Sequence, residues 1–522
     1  MSKKRSLRCL VVAMLVGTVF VIAPAVLCQV PNPDTLVVAS SIDLTTLDPA
    51  VSTSNNDYKI IYSLYDRLVT YRGGVEGVVP MLAKRWDVSS DGLEWTLSLR
   101  DGVEFHDGTP VDAEAVKFSF ERLLELGEYA AGLFSGILEP SGITVVDKHT
   151  VKFTLNAPFG PFLELLAMNG SSIVSPSVME HAVDGDYAKA WLTQHEIGSG
   201  PYKLSRWSMG QLVELTANEG YWDGKPALDK VVIQYVKESS TQRMLLSSGE
   251  IDIAESLSLQ DLNAVRQESG IDVLSFPGYH MKELLINTAK APFDNVDVRR
   301  AVAYAVNYDN IVEHIMENTA TRARGTIPKG MLGYSESLYQ YPHDPDRARS
   351  LLEKAGYPNG FEATLKITNY PMWDSMAASI QADLAEVGIG VSIEQYALPT
   401  YYAMQGEGNT ELSLEGWTPD YNDPLSLFWY WYYSASISPG CCNYSFYDNI
   451  VIDKLLEQAQ VTADQNVRAA LYHQVAAIVA SDVPRIFLFQ RNYLLAMRTW
   501  VKGYEYNPMM EYIFDFASLS KQ

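Results

Sequence analysis

The order of strand and helix patterns changes along this chain, and that order limits the folds it can form. Short strands follow Gly198, alternating helices and strands begin at Leu284, and a strand pattern returns at Ile486–Phe489. At 522 residues the chain is too long for one simple core. We therefore expect an α/β protein whose chain starts in one lobe, builds a second lobe and returns to the first.

Three helix boundaries can be predicted from local signals. Asp112 and Asn295 are each placed to cap the start of a helix, because a short polar side chain can accept from the first free amide groups. A third helix is expected over Ser375–Val387, and Gly388 follows its last residue, as glycine commonly does.

The first 28 residues have the composition of a secretion signal. Four cations precede an apolar stretch that runs from Leu10 to Leu27: Lys3, Lys4, Arg5 and Arg8. Cleavage after Ala25 fits the small residues there, and the alternative is acylation of Cys28. The sequence thus predicts an exported protein, either periplasmic or on the cell surface, with lipid anchoring through Cys28 as the open alternative.

Charge and cysteine content exclude several function classes. The net charge is −23, and no basic stripe is present to neutralise phosphates, so we expect no nucleic-acid binding. Beyond the signal, cysteine occurs only as the adjacent pair Cys441-Cys442, which we interpret as part of a structural loop. The eight histidines are scattered singly, so we predict neither a metal site nor a cofactor.

The segment Gly416–Pro424 places a carboxylate among aromatic rings. Its two prolines disfavour a regular helix or central strand. Asp420, between Trp417 and Tyr421, suits an ammonium group, which it can bind by ionic hydrogen bonds while the rings attract the cation. Residues 367–453 contain no Lys, Arg or His but eleven acids. A cationic or neutral ligand is therefore favoured over an anionic one.

Several blocks in this sequence resemble the family 5 solute-binding proteins of ABC importers, which include dipeptide, oligopeptide and nickel receptors. The blocks keep the family's order and are spread over most of the chain after the signal: Pro80–Trp86, Phe105–Thr109, Gly198–Tyr202, Gly249–Asp252, Val298–Ala301, Gly416–Pro424 and Asn443-Tyr444.

The resemblance implies a bilobal periplasmic-binding-protein-like fold with a hinge. The implied divisions are a signal (1–28), the first lobe (29–75, 196–285 and 485–522), a subdomain inserted in that lobe (76–195) and the second lobe (286–484). Ligand would lie in the cleft between the lobes and be enclosed by their closure. The resemblance also implies a monomer that delivers its ligand to the permease subunits of an ABC importer.

The resemblance assigns candidate ligand contacts. In peptide-binding relatives an acid of the Gly416–Pro424 motif holds the ligand's α-ammonium, and Asp420 is the matching residue; the alternative is an Asx-turn within the loop. Further candidates are the motif's other polar and aromatic side chains, a loop of the first lobe and the start of a second-lobe helix: Trp417, Tyr421, Asn422, Thr53, Ser54, Trp373 and Asp374.

One departure from the family pattern affects the predicted ligand. Dipeptide receptors carry an arginine for the ligand's carboxylate just before the helix expected at Ser375, where this chain has Asp374. Asp374 is also placed to cap that helix. The departure favours oligopeptides, or ligands without a tightly held carboxylate, over dipeptides clamped at both ends.

Two other functions were weighed against a peptide receptor. The aromatic run Phe428–Tyr433 could stack on a neutral oligosaccharide bound to the same fold, or it could be core packing. A secreted hydrolase is the other alternative. The chain has no Gly-x-Ser-x-Gly and no His-Glu-x-x-His motif, so we expect no enzyme.

Overall fold

The computed structural model describes residues 30–74, 77–370, 372–437 and 442–522. The predicted secretion signal, Cys28 and Cys441 lie outside these residues. None of the described helices is long and apolar enough to span a membrane.

The bounds of the first elements are as follows: β1 (Thr35–Ser40), α1 (Asn55–Leu64), β2 (Val69–Thr70), β3 (Val79–Pro80), β4 (Ala83–Val88), β5 (Glu94–Leu99), α2 (Ala113–Leu126), α3 (Tyr129–Gly132), β6 (Ile143–Asp147), β7 (Thr150–Thr154), α4 (Phe162–Leu166) and α5 (Lys189–Leu192). The next elements lead to a long strand: β8 (Tyr202–Ser208), β9 (Leu212–Ala217), β10 (Lys230–Tyr235), α6 (Ser239–Ser248), β11 (Ile253–Ala254), α7 (Leu259–Val265) and β12 (Ile271–Ile286).

Alternating helices and strands follow: α8 (Val296–Ala305), α9 (Tyr308–Asn310), β13 (Ala320–Arg322), α10 (Pro345–Lys354), β14 (Phe361–Thr368), α11 (Trp373–Glu386), β15 (Ile389–Tyr396), α12 (Leu398–Gly406), β16 (Leu412–Trp417), α13 (Leu425–Tyr432), α14 (Ile450–Val461) and α15 (Gln465–Asp482). The chain ends with strands: β17 (Arg485–Arg498), β18 (Val501–Lys502) and β19 (Ser520–Lys521).

One large sheet runs through both halves of the molecule. Its strands lie in the order β15, β14, β16, β12, β17, β11, β1, β10, β9, β8, and β13 also pairs with β17. The antiparallel strands β12 and β17 form the middle, and their register shifts between Pro277 and Met281. We call this shift the β12 interruption. On one side of it lies the half containing β1, and on the other the half containing β14 to β16, so the predicted bilobal α/β fold is confirmed.

Helix caps follow the sequence prediction at two of the three sites. Asp112 caps α2 and Asn295 caps α8, each by accepting from backbone amides of the first turn. Helix α11 begins earlier than predicted, at Trp373, after Met372 in a left-handed conformation (φ 70°). Asp374 therefore lies in the first turn and does not cap the helix. An acid in that turn still interacts favourably with the helix dipole.

The two halves are closed on each other. The Gly160 amide, in the segment between β7 and α4, donates to the Gln460 carbonyl of α14 at 2.7 Å. Helix α13 packs in the same hydrophobic core as the first half, and it buries Phe428, Trp431 and Tyr432. The aromatic run thus contributes mainly to the core and leaves only part of its surface for other contacts.

Candidate functional site

A cavity lies between the two halves, beside the loop that follows β16. Its walls come from α1, from the segment after α4, from Thr418–Asp420 and from Pro508–Glu511. Because α1 belongs to one half and Thr418–Asp420 to the other, both halves must be folded and closed to form this cavity. Such interlobe cavities are the usual ligand sites of bilobal proteins.

Asp420 supplies a carboxylate to this cavity. The Tyr129 hydroxyl, on α3 of the opposite half, donates to Asp420 Oδ1 at 2.6 Å. Burial raises the pKa of Asp420, and this hydrogen bond partly offsets the rise. A carboxylate can accept about four hydrogen bonds, so Asp420 retains capacity for a cationic donor.

Asp423, three residues further on, has a different environment. It is fully buried, and Arg468 of α15 lies 3.1 Å from its Oδ2. The Tyr472 hydroxyl and the Leu425 amide donate to Oδ1. All its partners belong to the same half of the protein. Asp423 therefore anchors the loop, and Asp420 is the acid that remains available to a ligand.

The three other candidate residues of the motif, Trp417, Tyr421 and Asn422, do not line the cavity of Asp420. Trp417 ends β16, and its ring centre is 6.2 Å from that of Tyr430. Tyr421 is buried edge-on against Phe159 of the opposite half, with ring centres 6.3 Å apart. Asn422 lines a second, neighbouring cavity, and its Oδ1 is buried without a hydrogen-bond partner.

The first-lobe loop is close to the cavity, but the predicted residues are not its lining. Thr53 is exposed, and Ser54 caps α1 by accepting from the Asn56 amide at 3.2 Å. Their neighbour Asn55 lines the cavity, together with Tyr58 one helical turn later. The loop thus reaches the cavity through Asn55, and ligand contact by Thr53 and Ser54 stays a prediction.

The second-lobe candidates at the start of α11 lie apart from the cavity. Trp373 is buried, and its ring centre is 4.8 Å from the Lys282 ammonium. Asp374 is exposed and accepts from Gln395 Nε2 at 3.4 Å. The structure places neither residue beside Asp420.

Tyr129 and Glu511 are among the residues around the cavity that the sequence prediction missed. Tyr129 holds Asp420 across the cleft, and Glu511 lines the same cavity from the C-terminal segment. Burial raises the pKa of Glu511, and its Oε2 lacks a hydrogen-bond partner. Neither residue lies in a recognisable motif. Only the tertiary fold brings them to Asp420.

A buried acid next to the site predicts a pH-dependent stability. Burial raises the pKa of Glu164 from 4.5 to about 8, although the Tyr71 hydroxyl donates to it at 2.7 Å. Between these pH values the folded state binds more protons than the unfolded state, so this contribution to stability falls as pH rises. We expect Glu164→Gln to reduce the fall in unfolding free energy between about pH 5 and pH 8.

Urea denaturation across this pH range measures the effect. The matched control is Glu180→Gln, because Glu180 is exposed and should leave the pH profile unchanged. Parallel profiles for Glu164→Gln and the unmodified protein would show that Glu164 is ionised in the folded state at neutral pH.

Within the described ranges no cluster of three or more His, Cys, Asp or Glu side chains could hold a metal ion. The cavity beside Asp420 is instead suited to an organic ligand, because its walls combine tyrosine rings and methionines with carboxylates.

Comparisons with known proteins agree with this architecture. Residues 77–439 match the family model described as bacterial extracellular solute-binding proteins, family 5. The chain is 40% identical over the whole of both sequences to the probable D,D-dipeptide-binding periplasmic protein of Escherichia coli K12.

Solved structures share the fold over nearly the whole chain. HbpA2 from Haemophilus parasuis has a TM-score of 0.87 at 29% identity and covers 94% of this chain and 100% of its own. The periplasmic binding protein DppA from Helicobacter pylori, in complex with the peptide STSA, has a TM-score of 0.75 at 32% identity, with 93% and 98% covered. This chain belongs to the family 5 bacterial extracellular solute-binding proteins.

Proposed function

We propose that this protein is the exported receptor of an ABC importer and that it binds short peptides in the cleft between its halves. The observation that carries the proposal is Asp420, a half-buried carboxylate in an interlobe cavity with one hydrogen bond from Tyr129 and capacity for more. The α-ammonium of a peptide is the natural partner of such a group.

The energetics support an ammonium ligand. A hydrogen bond to a charged group contributes about 1.5–3 kcal/mol, out of about 8 kcal/mol for a micromolar complex. Tyr58 and Tyr62 line the same cavity, and aromatic rings in a cavity wall suit contact with an ammonium group or with peptide side chains. The Tyr129–Asp420 hydrogen bond joins the two halves. The carboxylate that we propose binds the ammonium therefore also contributes to closure.

The relatives support the same ligand class. Their names describe binding of D,D-dipeptides and dipeptides, and one solved relative holds a four-residue peptide. We extend peptide binding to this chain, together with release of the peptide to the permease subunits of an importer. We propose no catalytic step, because a receptor must release its ligand unchanged.

Calorimetry with paired peptides tests the proposal. We expect L-Ala-L-Ala or D-Ala-D-Ala to bind, and the N-acetylated form of the bound peptide to bind about tenfold or more weakly, because acetylation removes the ammonium. Equal affinity of free and acetylated peptides would contradict it. If cello-oligosaccharides raised the melting temperature and peptides did not, the oligosaccharide function would replace it.

A separate experiment can test whether the exported receptor is free or anchored by a lipid. We propose export directed by residues 1–28, with either cleavage after Ala25 or acylation of Cys28. The intact mass of the mature protein distinguishes the two outcomes, because acylation adds the mass of the lipid to a chain that begins at Cys28.

A further inference from the structure

Lys282 is a buried cation that has no anionic partner among the residues the structure describes. It lies in β12 just beyond the β12 interruption and is 5% exposed. Among the described residues no carboxylate comes within 4.0 Å of its ammonium. Its nitrogen instead lies 4.3 Å from the ring centre of Tyr370 and 4.8 Å from that of Trp373. Burying a charge without a counter-ion is costly, so such an arrangement calls for a reason in function.

A second cation lies on the same face of the sheet. Lys282 is opposite Phe489 in the β12–β17 pair, and Arg491 follows two residues later, so both cations point to one side. Burial and the charge of Arg491 together lower the pKa of Lys282 to about 8. Arg491 lies 4.0 Å from one acid, Glu511, which also lines the cavity of Asp420.

The nearest acids along the strands do not neutralise Lys282. Glu283 follows it and pairs across the sheet with Glu415, so both point to the opposite face. There Glu283 accepts from Arg485 at 3.1 Å. The face that carries Lys282 therefore has an excess of positive charge beside an otherwise acidic site.

The cations are close enough to Asp420 for one short ligand to reach both. Lys282 is opposite Gly416, and a Cβ added to Gly416 would lie 2.4 Å from the Lys282 nitrogen. Asp420 is four positions after Gly416, so their Cα atoms are at most about 14 Å apart. An extended peptide covers about 3.5 Å per residue, so a peptide of about four residues would span that backbone distance.

We propose that Lys282, with Arg491 beside it, binds the terminal carboxylate of the peptide whose ammonium Asp420 holds. The proposal rests on the proposed function and adds the ligand's second charge and a preference for short peptides. The rings of Tyr370 and Trp373 hold the ammonium in place without neutralising it. The carboxylate partner thus comes from β12, although no arginine precedes α11.

Calorimetry with a dipeptide and its C-terminal amide tests this assignment. The unmodified protein should bind the acid about tenfold or more tightly than the amide. Lys282→Met, which keeps the length of the side chain and removes its charge, should lose that preference while it keeps the preference for a free over an acetylated amino end. The matched control is Lys237→Met, at an exposed lysine.

A second variant tests the same role of Lys282 in case Lys282→Met does not fold. Gly416→Ala leaves the charge unchanged, but its methyl group would displace the Lys282 nitrogen, so it should also weaken binding of the acid more than of the amide. Equal affinities of the unmodified protein for acid and amide, with selectivity for the free amino end intact, would overturn the role of Lys282 alone. Equal affinities of the unmodified protein for free and N-acetylated peptides would overturn the proposed function itself.

Discussion

Replacing Asp423 by alanine is expected to lower the free energy of unfolding by about 3–5 kcal/mol, because it leaves a buried guanidinium without its counter-ion. Arg468 is almost fully buried and lies 3.1 Å from Asp423 Oδ2. Its other hydrogen bonds go to the carbonyls of Thr462 and Ala463, which carry no full charge. The Tyr472 hydroxyl would lose its acceptor as well.

Urea denaturation measures this change, and Ser426→Ala is the matched control. The Ser426 hydroxyl is buried in the same loop and donates to the Asp423 carbonyl at 2.7 Å, a neutral hydrogen bond. Its loss should cost about 0.5–1.5 kcal/mol. If Asp423→Ala cost no more than Ser426→Ala, the ion pair with Arg468 would not be what anchors the loop.

Replacing Asp420 by asparagine is expected to weaken peptide binding by about 10- to 150-fold, which corresponds to about 1.5–3 kcal/mol. Asparagine keeps the shape and can accept from Tyr129, but it lacks the charge that an ammonium requires. Burial raises the pKa of Asp420 in the folded protein, so removing the charge should not reduce stability. The effect should therefore appear in affinity and not in unfolding.

Calorimetry with free and N-acetylated dipeptides isolates the interaction. The acetylated peptide should bind the unmodified protein and Asp420→Asn with similar affinity, because it has no ammonium to lose, and the difference between the pairs gives the coupling energy. Asp87→Asn, at an exposed aspartate of β4, controls for the change in net charge. An unchanged affinity for the free peptide would remove Asp420 from the site.

Local features of the fold could be predicted from the sequence because they depend on neighbouring residues. The caps at Asp112 and Asn295 are hydrogen bonds across two or three residues. The start of α11 was predicted wrongly because Met372 adopts a left-handed conformation that its residue type does not favour. The pairing of β12 with β17 joins residues about 200 positions apart, and no local signal indicates such a contact.

The candidate site also combines residues that local sequence indicates with residues that only the fold brings together. Asp420 lies in a motif, so the sequence alone could nominate it, and the prolines around it indicated an irregular loop. Its partner Tyr129 lies 291 residues away. Lys282 lies in a strand between Met281 and Glu283, and only its position over two rings marks it as unusual. A residue such as Lys282 becomes a candidate for ligand binding only when the structure shows that it is buried and which groups surround it.

The β12 interruption separates the two groups proposed to bind the peptide ends from the other half of the protein. Lys282 follows the interruption, and Asp420 follows β16, which pairs with that part of β12. Both charged groups thus belong to one half, and the distance between them is the same in an open and a closed protein. In the proposed binding mode that half alone sets the length of peptide that can be held at both ends. The other half, with Tyr129, α1 and Glu511, contributes its contacts when the protein closes.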